Sequence, residues 1–291
     1  MGNSGICRKM RILDSDQKKN TPSPTTSVRC RQKSSMLLSR LATRAAPRGA
    51  VARFYNVSTT LTGGDACKSI DLDAHGITGP TTVYRNLTFD ELHEHEIANA
   101  EGAIAKAEYG DTFAVDTGKF TGRSPADKWT VRNVGAESDG NMWWGPVNKP
   151  MEPAVFDELY EKAVAYFNTL DSVYVADLKC GANPETQIKV RFLHQLAWQQ
   201  HFVTNMFIRP ESAADLAGFL PTADNVDFTV INACALVNEN WERHGLNSDV
   251  AVAFNLERKV AVIFGTWSVR RSFVFDAPSL AQSAVVRARF L

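Results

Sequence analysis

From about Pro80 onward the apolar and polar positions fall into alternating helical and strand periods. Thr88-Phe-Asp-Glu91 is a capping box, in which a hydroxyl and a carboxylate satisfy free N–H groups of a first helical turn, and it predicts a helix over 89–107. A second helix is expected over 153–170, with Pro153 at its start, and a third over 195–203. Strands are expected over 112–115, 128–132, 172–177, 187–192, 227–232, 250–255 and 259–264. Gly181 and Pro184 join the third and fourth of these, and Leu256-Glu-Arg258 makes the last two a hairpin. Asn205 to Pro210 is mainly apolar with a single charge and receives no element. This alternation predicts a mixed α/β domain with a substantial, partly antiparallel sheet, and no internal repeat interrupts it.

Composition divides the chain. At 291 residues and 44% apolar it is long enough for one large or two ordinary domains. The net charge of zero hides an asymmetry: residues 1–64 carry 12 basic and 2 acidic side chains, leaving 20 basic against 30 acidic for 65–291. A globular part of net charge −10 does not fit a nucleic-acid binder. Residues 1–64 are expected to be a disordered basic leader, 65–82 a linker, 83–267 the folded domain and 268–291 an unstructured tail.

Within the leader, residues 36–55 are rich in Arg, Ala and Ser and free of acid, as organelle transit peptides are. Arg40, Arg44 and Arg48 fall near one helical face, but Leu37 and Leu41 project close to it and Pro47 would break the helix. Arg53-Phe-Tyr55 is similar to the site at which mitochondrial presequences are cut. These features favour the mitochondrial matrix, with the cytosol as the alternative; a basic disordered tail without a targeting role fits the same residues. Either Met36 is the true start or the first 35 residues are a disordered extension. A myristoylation signal fails at Ile6. Cysteines 7, 30, 67, 180 and 234 have no paired spacing and are read as reduced thiols. No run approaches the roughly 18 apolar residues needed to span a bilayer.

The chemistry concentrates in Thr117-Gly-Lys-Phe-Thr-Gly-Arg-Ser-Pro-Ala-Asp-Lys-Trp129, between two expected strands. Glycines let backbone N–H groups approach an anion, and a guanidinium holds a carboxylate or phosphate through two parallel hydrogen bonds, which makes Arg123 the leading binding candidate. Gly, Ser and Pro among solvated charges also describe an ordinary surface turn. Lys119 and Lys128 are read as surface lysines, and Arg209 as a structural residue holding a strand end through a buried pair. His93-Glu-His-Glu96 is not read as a metal site, since helical positions two apart point about 200° away from each other. Trp143, Trp144 and Trp198 are expected in the core. His194 and His201 are placed seven apart on one helical face, with packing or solvent-facing roles. Asn238-Glu-Asn240 and Asn247-Ser-Asp249 read as turns.

The runs TGKFTGRSPADKW, WWGPVNKPM, VRFLHQLAWQQHFVTNMFIRP and NSDVAVAFNLERKVAVIFGTW, in that order, resemble the amino-terminal half of ATP-dependent phosphoenolpyruvate carboxykinase over about Val83 to Trp267. The resemblance implies an α/β amino-terminal domain with a mixed sheet, facing a carboxyl-terminal nucleotide-binding domain across an active-site cleft. It implies conversion of oxaloacetate and ATP to phosphoenolpyruvate, CO2 and ADP in gluconeogenesis, with Mg2+ and Mn2+ assisting. The arginine of the family's TGRSP loop binds the substrate carboxylate, and that position here is Arg123.

The resemblance stops abruptly. After Gly265-Thr-Trp267 the family continues Tyr-Gly-Gly-Glu-Met-Lys-Lys-Gly, with a substrate-binding tyrosine and lysines for metal and phosphate; here Ser268 stands at the tyrosine, and Phe273 and Val274 at the lysines. Such a break looks like a frame change or a misread splice site. No Gly-x-x-x-x-Gly-Lys-Ser/Thr loop occurs in the chain, and Lys119 is followed by Phe120 rather than a magnesium-binding hydroxyl. The nucleotide-binding domain is expected to be missing, ATP and metal to be held by no residue here, and the chain as written to be inactive. The alternatives are a non-catalytic dicarboxylate-binding or docking module, and a product that does not fold. Oligomeric state is not legible.

Overall fold

A computed structural model describes residues 58–108, 110–117, 125–220 and 225–265. In chain order these contain β1 (Thr59–Thr62), β2 (Thr82–Arg85), α1 (Phe89–Ala98), β3 (Ala103–Ala107), β4 (Gly110–Ala114), β5 (Lys128–Val131), α2 (Glu137–Asn141), β6 (Lys149–Met151), α3 (Pro153–Phe167), β7 (Ser172–Cys180), β8 (Ile188–His194), α4 (Ala197–Met206), α5 (Ala213–Ala217), β9 (Phe228–Ala233), β10 (Ala251–Asn255) and β11 (Val260–Phe264). β3 and β4 form a separate antiparallel pair; the other nine strands make one mixed sheet in the order β1-β2-β7-β8-β9-β11-β10-β5-β6. The α/β class and the mixed sheet agree with expectation.

Strand direction brings the ends of eight strands to one rim. β8, β9 and β11 run parallel to one another, while β2, β7, β10, β5 and β6 run the opposite way. The carboxyl ends of the three inner strands, at His194, Ala233 and Phe264, therefore share a rim with the amino ends of the other five.

α3 starts with Pro153 at a position whose N–H has no helical partner in any case. Its Phe156, Leu159, Ala163 and Phe167 recur at helical spacing and are buried against one face of the sheet, with Val173, Val175, Leu193, Ile231 and Val262. α4 covers the other face, where Val203 packs among Leu178, Val190, Phe192 and Val230. α3 stops at Phe167, short of the expected 170, because Asn168 turns its side chain to the preceding loop: its Oδ1 accepts from the N–H groups of Thr78 and Gly79 at 2.8 Å each. Gly79 lies so near that a Cβ there would meet the Asn168 carbonyl oxygen at 2.2 Å.

The largest departure from expectation is in α1. Its capping box is present, Thr88 Oγ1 accepting from Glu91 N–H and Glu91 Oε2 from Thr88 N–H. The helix nonetheless ends at Ala98, and residues 103–107, whose Ala-rich composition favours helix, form β3. Ala100 takes a left-handed φ of 53°, and Glu101 turns inward to accept hydrogen bonds from the N–H groups of Ala197 and Trp198 at 3.0 and 2.8 Å. A tertiary contact that satisfies two free N–H groups of α4 thus overrides the local preference.

Three further corrections concern boundaries. β1 lies inside the expected leader, yet it pairs with β2 from Thr59 opposite Arg85 to Thr62 opposite Thr82. The expected linker, 65–82, contributes to the core: Ala66, Cys67, Ile70, Leu72 and Ile77 are all buried in the main cluster. His194 ends β8 rather than sharing a helix with His201 in α4. Of the expected core tryptophans, Trp198 is buried, Trp143 is 71% exposed and Trp144 is half-buried under the Arg132 guanidinium. Cys67, Cys180 and Cys234 are free thiols; Cys7, Cys30 and the 268–291 tail lie outside the described residues. Among the described residues no helix is long and apolar enough to cross a membrane.

On the α3 face the apolar core gives way to a charged cluster. Asp177 of β7, fully buried, takes Arg85 from β2 (Nε to Oδ2, 2.8 Å) and Arg191 from β8 (Nε to Oδ1, 2.7 Å; Nη2 to Oδ2, 3.0 Å). The remaining guanidinium hydrogens reach the carbonyls of Ile70, Leu216 and Phe219. Removing the carboxylate would leave two buried cations facing each other. Asp177→Asn is therefore expected to cost about 3–5 kcal/mol, read as a lowered urea midpoint; a loss under about 1 kcal/mol would mean that water reaches the guanidinium groups.

Candidate functional site

Arg123 and Lys119 lie outside the described residues, but the two chain ends that flank them do not. On the incoming side Val115 is buried against Leu196, Trp198 and Cys234, which lie beyond the ends of β8 and β9 at the rim. On the outgoing side the turn Pro125–Asp127 leads directly into β5, whose first residue, Lys128, reaches Asn148 Oδ1 at 3.4 Å. Both ends of the basic segment are thus rooted at the rim where the inner parallel strands finish.

Three titratable groups at that rim are held in their neutral forms by burial. Burial pushes His194 down to about 3, so its imidazole stays neutral at physiological pH, stacked on Phe192 and within 3.5 Å of Asn232 Nδ2. Burial pushes the Cys234 thiol up to about 11, which removes it as a nucleophile. Tyr174 is likewise raised by burial; its hydroxyl lies 2.9 Å from His95 Nδ1 and accepts from Asn99 Nδ2 at 3.0 Å. Beside it a cavity of about 450 Å3 is lined by Asn99, Glu101, Ser172, Tyr174, Gln195 and Leu196. Lys128 and Lys149, at the amino ends of β5 and β6, bring positive charge to the same rim, and Asp171 also lines the cavity.

His93 and His95, two apart in the motif, are parted by the structure, which assembles a different group. His95 turns to Tyr174, whereas His93 lies 3.5 Å from Glu96, whose buried carboxylate lies 2.7 Å from His201 Nδ1 on α4. The i,i+3 spacing of His93 and Glu96 was the available signal; His201 is 105 residues away from Glu96 and gave none. Among the described residues no three His, Cys, Asp or Glu side chains are placed to share a metal ion. Arg209 is exposed with its guanidinium over the Phe89 ring at 4.8 Å, in place of the expected buried pair. The Asn238 turn is as expected, its Oδ1 accepting from Asn240 N–H at 3.2 Å.

Comparison with known proteins places this rim in a family. A family profile described as phosphoenolpyruvate carboxykinase matches residues 81–270, which run from β2 through the basic segment and past β11. The chain belongs to the phosphoenolpyruvate carboxykinase family. It is 45% identical over 196 residues to phosphoenolpyruvate carboxykinase (ATP) of Campylobacter lari, covering 67% of this chain and 35% of that protein. With the protein of the same name from Sulfurimonas denitrificans it shares 44% over 197 residues, covering 68% and 35%, and with that of Leptospira biflexa 42% over 187, covering 64% and 33%. The chain therefore spans about a third of the length of these carboxykinases, corresponding to their amino-terminal portion.

The buried imidazole generates a pH prediction. Below about 6.5 an unfolded His194 takes up a proton that the native one refuses until about 3, so stability falls with acidification across that window, by about 1.4 kcal/mol per pH unit from this group. A His194→Gln variant should show a flatter acid limb by one proton in urea titrations at pH 6.5, 5.5 and 4.5. An unchanged slope would show that His194 titrates normally in the native state.

Proposed function

We propose that this chain takes part in the ATP-dependent conversion of oxaloacetate to phosphoenolpyruvate and CO2, and that its share of the work is to bind the dicarboxylate through Arg123. The observation that carries this is the family match across residues 81–270, which includes Thr121-Gly-Arg-Ser-Pro125 between two ends rooted at one rim. A guanidinium presents a planar fork that fits a carboxylate bidentately and fixes its orientation. Held so, oxaloacetate can lose CO2 along one defined axis, leaving an enolate oxygen as the nucleophile for phosphoryl transfer.

The residues present do not fit a triphosphate or a catalytic metal ion. The chain has no Gly-x-x-x-x-Gly-Lys-Ser/Thr loop, and Ser268, Phe273 and Val274 offer neither the tyrosine hydroxyl nor the lysines of the family's pattern. No step through ATP, Mg2+ or Mn2+ is assigned to these residues, and the 291-residue chain alone is proposed to bind its substrate without turning it over.

Calorimetric titration of the chain with oxaloacetate tests the first part. Arg123→Lys keeps the charge but loses the fork, and should weaken binding about tenfold; equal affinity would remove Arg123 from the site. The second part fails if the pure chain releases phosphoenolpyruvate in an ATP- and metal-dependent manner. The basic leader is proposed to direct the protein to the mitochondrial matrix: residues 1–64 fused to a fluorescent protein should enter mitochondria, and diffuse cytosolic fluorescence would count against this.

A further inference from the structure

The cavity beside Tyr174 opens where three segments meet: the turn after α1, the start of β7 and the link from β8 to α4. Glu101 and Tyr174 are buried parts of its lining, and Asn99 and Asp171 are exposed parts. Glu101 accepts from the N–H groups of Ala197 and Trp198 and from Asn99 Nδ2 at 2.9 Å, all of them neutral donors. Asp171 joins its loop to the sheet through its backbone carbonyl, which accepts from the N–H groups of Thr81 and Thr82, and its carboxylate is left to the cavity. Among the described residues neither carboxylate forms an ion pair.

The field in the cavity is negative. Burial, and after it the Glu96 carboxylate, push the Glu101 carboxyl up, and Glu101 in turn adds to the rise that burial imposes on Tyr174. The lysines of the same rim do not offset this. Lys128 opens β5, five strand positions along the sheet from β7, which is about 24 Å at about 4.8 Å per step. Charges that far apart are screened at physiological salt, where the Debye length is about 8 Å.

Hydrogen-bonding capacity points the same way. Asn99 Nδ2 also donates to the Tyr174 hydroxyl at 3.0 Å, so both of its amide hydrogens are engaged. Two carboxylates then face a lining whose other donors are hydroxyls and the Gln195 amide. A buried carboxylate without a cation is costly, and a ligand that brings one offsets that cost. An ammonium group offers three donors and no acceptor, as this lining requires. Leu170, Leu196 and Ala100 supply apolar wall for a short alkyl chain, and about 450 Å3 falls within the range of small-molecule sites, roughly 300–1,000 Å3. A dicarboxylate or a nucleotide phosphate would be repelled, so the cavity is no second seat for the substrates of the proposed reaction.

We propose that this cavity is a binding site for a small aliphatic amine, with ammonium held by the carboxylates of Glu101 and Asp171 and the alkyl chain against Leu170 and Leu196. The site takes no residue from the 117–129 segment and stands or falls independently of Arg123.

Calorimetric titration of the intact chain tests it, with putrescine as the probe and adipate as a molecule of similar length and opposite charge. Putrescine should bind with a dissociation constant below about 1 mM, and adipate should give no heat. Asp171→Asn changes an exposed side chain whose backbone makes the structural bonds, and should weaken putrescine about tenfold. Ser172→Leu, which fills the cavity from β7, should weaken it at least as much. Glu94→Gln removes an exposed carboxylate of α1 outside the cavity lining, and should leave the affinity unchanged. Asp171→Asn and Glu94→Gln should keep thermal midpoints within a few degrees of the starting protein; if Ser172→Leu fails to fold, these two still decide the matter.

Absence of putrescine binding at concentrations up to about 10 mM overturns the site. Equal binding of adipate also overturns it. So does an affinity that Asp171→Asn and Glu94→Gln reduce alike, because that is diffuse attraction of a dication to an acidic surface. Tighter binding of Mg2+ than of putrescine, lost in Asp171→Asn, would make the ligand an inorganic cation and overturn the assignment to an amine.

Discussion

The sheet registers depend on one buried carboxylate. Asp177 sits between two guanidinium groups on the face of the sheet that α3 covers, and their other hydrogen bonds go to backbone carbonyls. Side chains alternate along a strand, so a one-residue slip of β2, β7 or β8 would carry a charge through to the apolar side beneath α4. Replacing the whole cluster by well-packed apolar residues would leave the energy little changed, whereas losing one member would not. The three carbonyls that take the surplus positive charge belong to segments around Ile70, Leu216 and Phe219, so the same cluster recruits loops as well as strands. The alignment of strand ends at the rim depends on the registers this cluster selects.

At the rim the arrangement separates scaffolding from charge. His194, Tyr174 and Cys234 are all held in their neutral forms by burial, so they contribute shape and hydrogen bonding without competing electrostatically with a guanidinium. Charge at the same rim comes from Lys128 and Lys149, which open β5 and β6.

Glu101 shows how a few residues couple distant parts. By ending α1 and accepting from the first N–H groups of α4, it fixes both helices at the same end of the sheet and frees residues 103–107 to pair with 110–114. β4 then delivers Val115 to the rim, where it packs against Trp198, the residue whose N–H donates to Glu101. Cap, hairpin and the incoming end of the basic segment form one connected unit.

Period and motif in the sequence by themselves determined most strands from 128 onward, α3, the 256–258 hairpin and the family, because each rests on interactions between near neighbours or on a contiguous run. The sequence missed what distant residues decide. Residues 103–107 read as helix until Glu101 finds α4; residues 66–77, rich in turn formers, read as linker until Asn168 and the α3 face bury them. His93, Glu96 and His201 gave no signal as a group, nor did the meeting of Glu101, Asp171 and Tyr174 at one cavity, since each joins side chains brought together only by the order and direction of strands. Local sequence can specify which elements form, but only closing the sheet puts their ends on the same rim.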